Sequence, residues 1–464
     1  MQIRLFVSHC SLLAVSFSAV ACAGAAEEAE SRAELAAELA AESSSDKDRP
    51  QIGDTLPGTD PVAFAEALDA FAALEDIDEG LGPTFNETGC GACHTLPVVG
   101  GSGVPIERRF GRLTAGVFFG FDTPPEDEGG TLRQLFSNGT YLNGAVECTI
   151  PVEVTPASAN VRDVGRRTTP LFGLGLVDAM PDAFFDALAA AQPAAIRGVV
   201  QRVPIALPDP RDPTQTLGGL RVGRFGWKGG IPSLLVFSGD AYDNEMGITT
   251  QSCVNGVSVL AFAGENHPNN VPPPDGCNGG DLAPPQPDHP DVPTFTDDAV
   301  GPCDGGRSEI QDDLVLFTTF MESLAPPPRD MSDRRSVEQG ERLFKEVGCA
   351  DCHVTTTFRT PDHPFNGVPG KFKFQPFSDF LAHDMGALGD GIGNTGDSVA
   401  TTRLMRTSPL WGARFNPNFL HDGRAATIEE AILAHDGQGA ASRDGFSALQ
   451  QAERRSLVKF VNSL

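Results

Sequence analysis

Residues 336–353 read SVEQGERLFKEVGCADCH, an amphipathic run that ends in a Cys-x-x-Cys-His pentapeptide. Val337, Leu343, Phe344 and Val347 recur on a roughly helical period, Ser336 with Gln339 makes the pattern of a capping box, and Gly348 turns the chain into Cys349. Two thiols at this spacing can each form a thioether to a porphyrin vinyl group. His353, next in sequence, is then held beside the ring as an axial iron ligand. A redox dithiol or half a zinc site would use the same cysteines, but the pentapeptide occurs twice. Residues 85–90, FNETGC, lead into Cys93 and His94 as residues 344–349, FKEVGC, lead into Cys352 and His353. With 10 Cys and 9 His in the chain, a chance CxxCH is expected on the order of a few thousandths of a time. The sequence therefore predicts two covalently bound c-type haems, one on Cys90, Cys93 and His94, the other on Cys349, Cys352 and His353.

The remaining cysteines agree with an oxidising compartment. Setting aside Cys10, Cys22 and the four haem cysteines leaves Cys148, Cys253, Cys277 and Cys303, an even number that predicts two disulfides with the pairing open. Arg4 followed by a short apolar stretch and small residues reads as an export leader over residues 1–25. Residues 19–22, AVAC, resemble a lipobox, so the expected location is the periplasm, either free or with a lipid on Cys22 tethering the chain to the outer membrane. Lys and Arg number 34 against 62 Asp and Glu, a net charge of −28. That excludes nucleic acid and an anionic membrane surface as partners and favours a small basic electron-donor protein.

Along the chain, residues 26–60 are an acidic, Ala-rich and then turn-rich linker. Residues 61–201 read as an N-terminal haem domain opened by a helix in PVAFAEALDAFAALEDID, with the GGSG loop at residues 100–103 after the first haem motif. Residues 202–307 are a loop-rich, partly β insertion pinned by disulfides; its scattered carboxylates lack an EF-hand pattern, so calcium is the minor reading. Residues 308–335 carry a helix from Ser308 to Leu324 and a Pro-rich linker, and residues 336–464 are a cytochrome c-like haem domain closed by a C-terminal helix. The expected fold is mainly α. The segment RRTTPLFG at residues 166–173 recurs as RTSPLWG at residues 406–412, so the duplication extends beyond the haem motifs. An arginine there could bind a haem propionate or a structural carboxylate.

Residues 377–386, FSDFLAHDMG, with RTSPLWG, FLHDGRA at residues 419–425 and IEEAILAH at residues 428–435, resemble the di-haem oxidoreductase family often labelled peroxidases. RRTTPLFGLGLVDAMPD and GRFGWK carry the likeness into the first half, and a more distant likeness reaches the bacterial di-haem cytochrome c peroxidases. The resemblance implies a peroxidase-like oxidoreductase in which electrons pass from the C-terminal haem to the N-terminal one, where peroxide or another small oxidant is reduced. The alternative is an electron-transfer or redox-sensing cytochrome without turnover. In the relatives the helix after the HDG segment supplies the sixth ligand of the C-terminal haem, which here points to His435, with His421, Met385 and Met405 as rivals. The relatives' early distal histidine has no counterpart in TLPVVGGSGVPIERR, leaving His383, Met180, Met246 or no strong ligand for the first haem. Glu107 and Arg108 are candidates for acid–base and charge-stabilising groups there, or for structural ions.

Overall fold

In the N-terminal half, Ile106–Thr114 (IERRFGRLT) is a strand, not part of a helix. The computed structural model describes residues 50–76, 81–123, 126–127, 130–143, 146–204, 219–248, 251–254, 257–260, 309–310 and 312–464. The leader, most of the acidic linker, and the loop carrying His267, Cys277, His289 and Cys303, with its calcium reading, lie outside the described residues. Ile106–Thr114 pairs antiparallel with Val161–Arg167 on one side and with Val117–Phe119 and Leu132–Arg133 on the other. Further small sheets of two or three strands follow, interleaved with the helices among the described residues. The expected mainly α fold is therefore corrected to a mixed α/β architecture with small sheets. Charge on both faces of the central strand hides its period-two pattern, and most other strands are two to four residues long, too short to stand out from loop.

The C-terminal half follows the sequence more closely. The haem-presenting helix spans Arg334–Glu346, and Gly348 at φ 88° makes the left-handed turn into Cys349. Its cap is Asp333, whose side chain accepts a hydrogen bond from the Ser336 amide at 3.3 Å, and not the expected Ser336–Gln339 box. Gln451–Asn462 packs across this helix as expected. A Cβ on Gly340 would lie 2.0 Å from the Ser456 carbonyl, so glycine permits the crossing, and Phe344 meets Phe460 with ring centroids 5.1 Å apart. Val337, Leu343, Phe344, Phe377, Leu457 and Phe460 form the core here, each apolar side chain contributing roughly 1.5–3 kcal/mol on burial.

A second core runs through Phe71, Phe172, Leu176, Phe320, Phe380 and Trp411, drawing residues from both halves, and Pro50–Thr59 with Phe64–Leu464 make up one compact unit. The helix expected from Ser308 begins instead at Asp312, because Glu309–Ile310 pairs as a strand with Gln251–Val254. Leu314, Phe317, Met321 and Leu324 are buried as the helical period predicts. Leu234–Met246 is a helix the sequence reading missed, capped by Ser233 and closed by Gly247 in the left-handed region. Cys148 is disulfide-bonded. Among the described residues no helix is long and apolar enough to cross a membrane.

Candidate functional site

The two pentapeptides fold alike. Cys90–Cys93 makes one helical turn and Cys349–Asp351 a tighter one, and in each the histidine amide donates to the carbonyl of the first cysteine at 3.0 Å. His94 Nδ1 lies 3.2 Å from the Gly101 carbonyl and His353 Nδ1 lies 2.9 Å from the Phe377 carbonyl. A carbonyl only accepts, so each Nδ1 carries the proton and each ring would hold an iron through Nε2; His94 also hydrogen-bonds to the Thr169 backbone. Burial pushes both histidines down to about 4, which keeps the imidazoles neutral. The glycine loop has a defined purpose: Gly101 supplies the carbonyl to His94, and a Cβ on Gly103 would lie 1.9 Å from the Cys93 carbonyl. Phe71 stands edge-on to His94 and Phe344 is tilted against His353.

Cys90, Cys93, Cys349 and Cys352 are all free, and burial pushes the thiols of Cys90, Cys93 and Cys349 up to about 12. Such thiols are not the thiolates of a redox dithiol. Cys90, Cys93 and His94 open onto a cavity of about 820 Å³, walled on its apolar side by Phe71, Leu171, Phe237 and Phe317. Volume, apolar walls, paired free thiols and a neutral histidine fit a haem.

The polar wall of this cavity comes from two elements. On the Ile106–Thr114 strand Glu107 and Arg109 share a face, whereas Arg108 points the other way and reaches the Asp163 carbonyl at 3.4 Å. Arg109, not the expected Arg108, is thus the arginine that this strand turns to the cavity. It grips Glu107 through Nε–Oε1 at 2.7 Å and Nη2–Oε2 at 3.1 Å. The missed helix Leu234–Met246 adds Asp240, Glu245 and Met246. Glu107 and Glu245 are hydrogen-bonded to each other, and Asn86 Nδ2 donates to Glu245 Oε2 at 2.8 Å. Burial and the Glu107 charge raise Glu245 well above the carboxylate range. Burial acts on Glu107 too, but the Arg109 guanidinium outweighs it and holds Glu107 low. One proton shared by two carboxyls therefore sits on the Glu245 side. Asp240 is raised to about 6, first by burial. The signal for Asp240 and Glu245 in the sequence was the Ser233 and Gly247 pair that brackets their helix.

Among the described residues lining this cavity His94 is the only histidine, while Met246 and Met321 are both present. Met180 is buried in the core and does not line it. His383 is placed at the second site instead, with Nε2 2.9 Å from Asp379 Oδ2 and Nδ1 3.8 Å from Cys352 Sγ. His435 donates Nδ1–H to the Ala431 carbonyl at 2.8 Å, which frees its Nε2, and stands close enough for its charge to bear on His353. Met385 Cε and the His435 ring both crowd Gly439, so Met385, one of the rival ligands, stands next to His435. His421 packs edge-on against Trp227, with centroids 6.3 Å apart, and Trp227 lines the first cavity. Arg166 and Lys228 both bind the buried Asp390, with Arg166 Nη2–Oδ2 at 2.6 Å and Lys228 Nζ–Oδ1 at 3.0 Å.

No curated protein matches the chain. A solved hydrazine synthase from Kuenenia stuttgartiensis is 19% identical, with a TM-score of 0.24; the match covers 34% of this chain and 57% of that one. The family model described as "Di-haem oxidoreductase, putative peroxidase" matches residues 152–260 and 295–464. With more than half of the chain matched, and a Cys-x-x-Cys-His turn built twice on the same plan, the protein belongs to the di-haem oxidoreductase family.

Proposed function

We propose that the protein is an exported peroxidase that reduces a small peroxide at the N-terminal haem with electrons drawn through the C-terminal one. Both haems are held by thioethers, to Cys90 and Cys93 and to Cys349 and Cys352, with His94 and His353 as proximal ligands and His435 as the second ligand of the C-terminal iron. The observation that carries this reading is the Glu107–Glu245 pair in the cavity of His94, where among the described residues no second histidine competes for the iron. When bound, the haem supplies a redox-active iron and the electrons. The chain supplies proton handling: reduction of H₂O₂ to two waters consumes two electrons and two protons, and Glu245 is a buried carboxylic acid able to donate to the departing oxygen. Arg109 holds the resulting Glu107–Glu245 anion in place, and Asp240 is positioned to reprotonate it from the same wall.

At the second site His435 Nε2 is free and near His353, which favours a saturated iron suited to storing an electron. A small basic protein would deliver that electron to this acidic chain. The rival reading, a cytochrome that transfers or senses electrons without turnover, is favoured by Met246 and Met321, since a thioether from either would close the first iron. Cyanide binding decides between them. Cyanide should bind the N-terminal haem in the oxidised or the half-reduced protein, and if neither state takes it the electron-transfer reading replaces the peroxidase.

A further inference from the structure

Arg167 and Arg406 occupy matched places in the two copies of the RT-x-P segment, and their hydrogen bonds match one for one. The Arg167 amide donates to the His421 carbonyl at 2.7 Å, and the Arg406 amide to the Trp227 carbonyl at 2.8 Å. Arg167 Nε donates to the Leu420 carbonyl at 3.0 Å, and Arg406 Nε to the Gly226 carbonyl at 2.7 Å. Each Nη1 then donates to the carbonyl of the next residue, Thr168 at 3.2 Å and Thr407 at 3.0 Å. The copies end alike too, Gly173 and Gly412 both at φ 71°.

What the two side chains lack is also the same. They are 7% and 8% exposed, every acceptor they use is a neutral carbonyl, and among the described residues neither ion-pairs with a carboxylate. The neighbouring Arg166 shows the contrast, since Asp390 neutralises it. Burial lowers Arg167 and Arg406 only to about 10, so both stay charged at neutral pH. A buried cation without a direct ion-pair partner is costly; the Asp379 charge bears on Arg406 without a salt bridge, and Nη2 of each arginine makes no hydrogen bond among the described residues. Arg167 lines the cavity of Cys90, Cys93 and His94. The residue after Arg406, Thr407, offers its carbonyl to the Ser378 hydroxyl at 2.6 Å, beside Phe377, whose carbonyl holds His353. Haem brings two carboxylates into a pocket, and fork geometry suits a carboxylate.

We infer that Arg167 and Arg406 are the propionate-holding residues of the N-terminal and C-terminal haems, each offering Nη2 to one propionate. The inference rests on the di-haem reading and adds a coupling to it. Each arginine is anchored on a carbonyl of the other half, Leu420 beside His421 and Gly226 beside Trp227, and because Gly226 and Trp227 line the first cavity, the residue that holds the C-terminal haem also braces the wall of the N-terminal site.

The test uses the full-length holoprotein with Arg167→Gln, Arg406→Gln and the two Arg→Lys variants, the latter keeping the charge if the glutamines impair folding. Reduction potentials of the two haems are titrated spectroscopically beside the haem-to-chain ratio. A guanidinium near the ring favours the reduced iron, so Arg167→Gln should lower the N-terminal potential by about 59 mV, about a tenfold change in the reduced-to-oxidised ratio for one electron, and leave the other haem in place. Arg406→Gln should do the reverse, and each Lys variant should fall between its glutamine and the parent. Unchanged potentials, or equal shifts of both haems in either variant, overturn the inference. A raised KM for peroxide with unchanged potentials also overturns it and assigns the arginines to an anionic substrate. Fewer than two haems on the parent chain would instead sink the di-haem reading itself, and the expected potential shifts in the variants of a parent that does not turn over peroxide would sink only the peroxidase.

Discussion

Glu245→Gln separates proton donation from packing at the N-terminal cavity. Glutamine has nearly the shape of the neutral acid now present. Its carbonyl can accept from Asn86 Nδ2, as Glu245 Oε2 does at 2.8 Å, and its amide can donate to Glu107, so the pair survives without its transferable proton. General acid catalysis contributes about 10²–10⁴-fold, or roughly 2.7–5.5 kcal/mol at 1.36 kcal/mol per decade. The lower end applies here, because Asp240, raised to about 6 by burial, lines the same cavity and can substitute when protonated. Turnover with hydrogen peroxide and a chemical reductant should therefore fall about 100-fold at pH 7, with the deficit shrinking below pH 6. In the parent, activity should also decline at alkaline pH as Glu245 loses its proton, and that limb should vanish in the variant. A loss smaller than about threefold at pH 7, with both haems bound, would refute the role of the pair.

Covalent attachment predicts that acid–acetone extraction leaves two haems per chain, read as the pyridine haemochrome; Cys352→Ala should leave the C-terminal haem on a single thioether. His435→Ala should convert one low-spin signal to high-spin, and an unchanged spectrum would move the role to Met385 beside it. Gly340→Ala should destabilise the chain by about 1–3 kcal/mol in a denaturant titration, since the added carbon would meet the Ser456 carbonyl at 2.0 Å. Asp240 rises from an ordinary 3.8 to about 6, so the folded state favours its protonated form. Its contribution is fully present below about pH 4 and is lost as pH rises through 6, worth at most roughly 3 kcal/mol; Asp240→Asn should flatten stability across that window.

The sequence alone determined the chemistry that lies in consecutive residues. Cys-x-x-Cys-His needs only one turn of chain to present two thiols and an imidazole, so both candidate attachment sites could be read from spacing, and the two folded turns match each other. The Arg334–Glu346 helix and its C-terminal partner were legible because their apolar residues repeat on one face. The second site's ligand candidates, His435 and Met385, were named, but which lies nearer the iron axis depends on how the Ile428–Leu433 helix is docked.

Tertiary structure decided what depends on register and on distant pairing. The choice between Arg108 and Arg109 turned on which face of one strand meets the cavity, and a one-residue difference reverses it. Glu107 and Glu245 are far apart in the chain, and neither has an unusual sequence environment; burial and the Glu107 charge make Glu245 an acid, while the Arg109 guanidinium keeps Glu107 an ion. The sheet around them escaped notice because charged residues occupy both of its faces, and while the sequence pointed an arginine of the repeat at a propionate or a structural carboxylate, only the folded chain shows that Arg167 and Arg406 are held by carbonyls of the opposite half. Periodicity reports which residues are hidden from water, whereas the protonation of a buried group is set by neighbours that only the folded chain brings together.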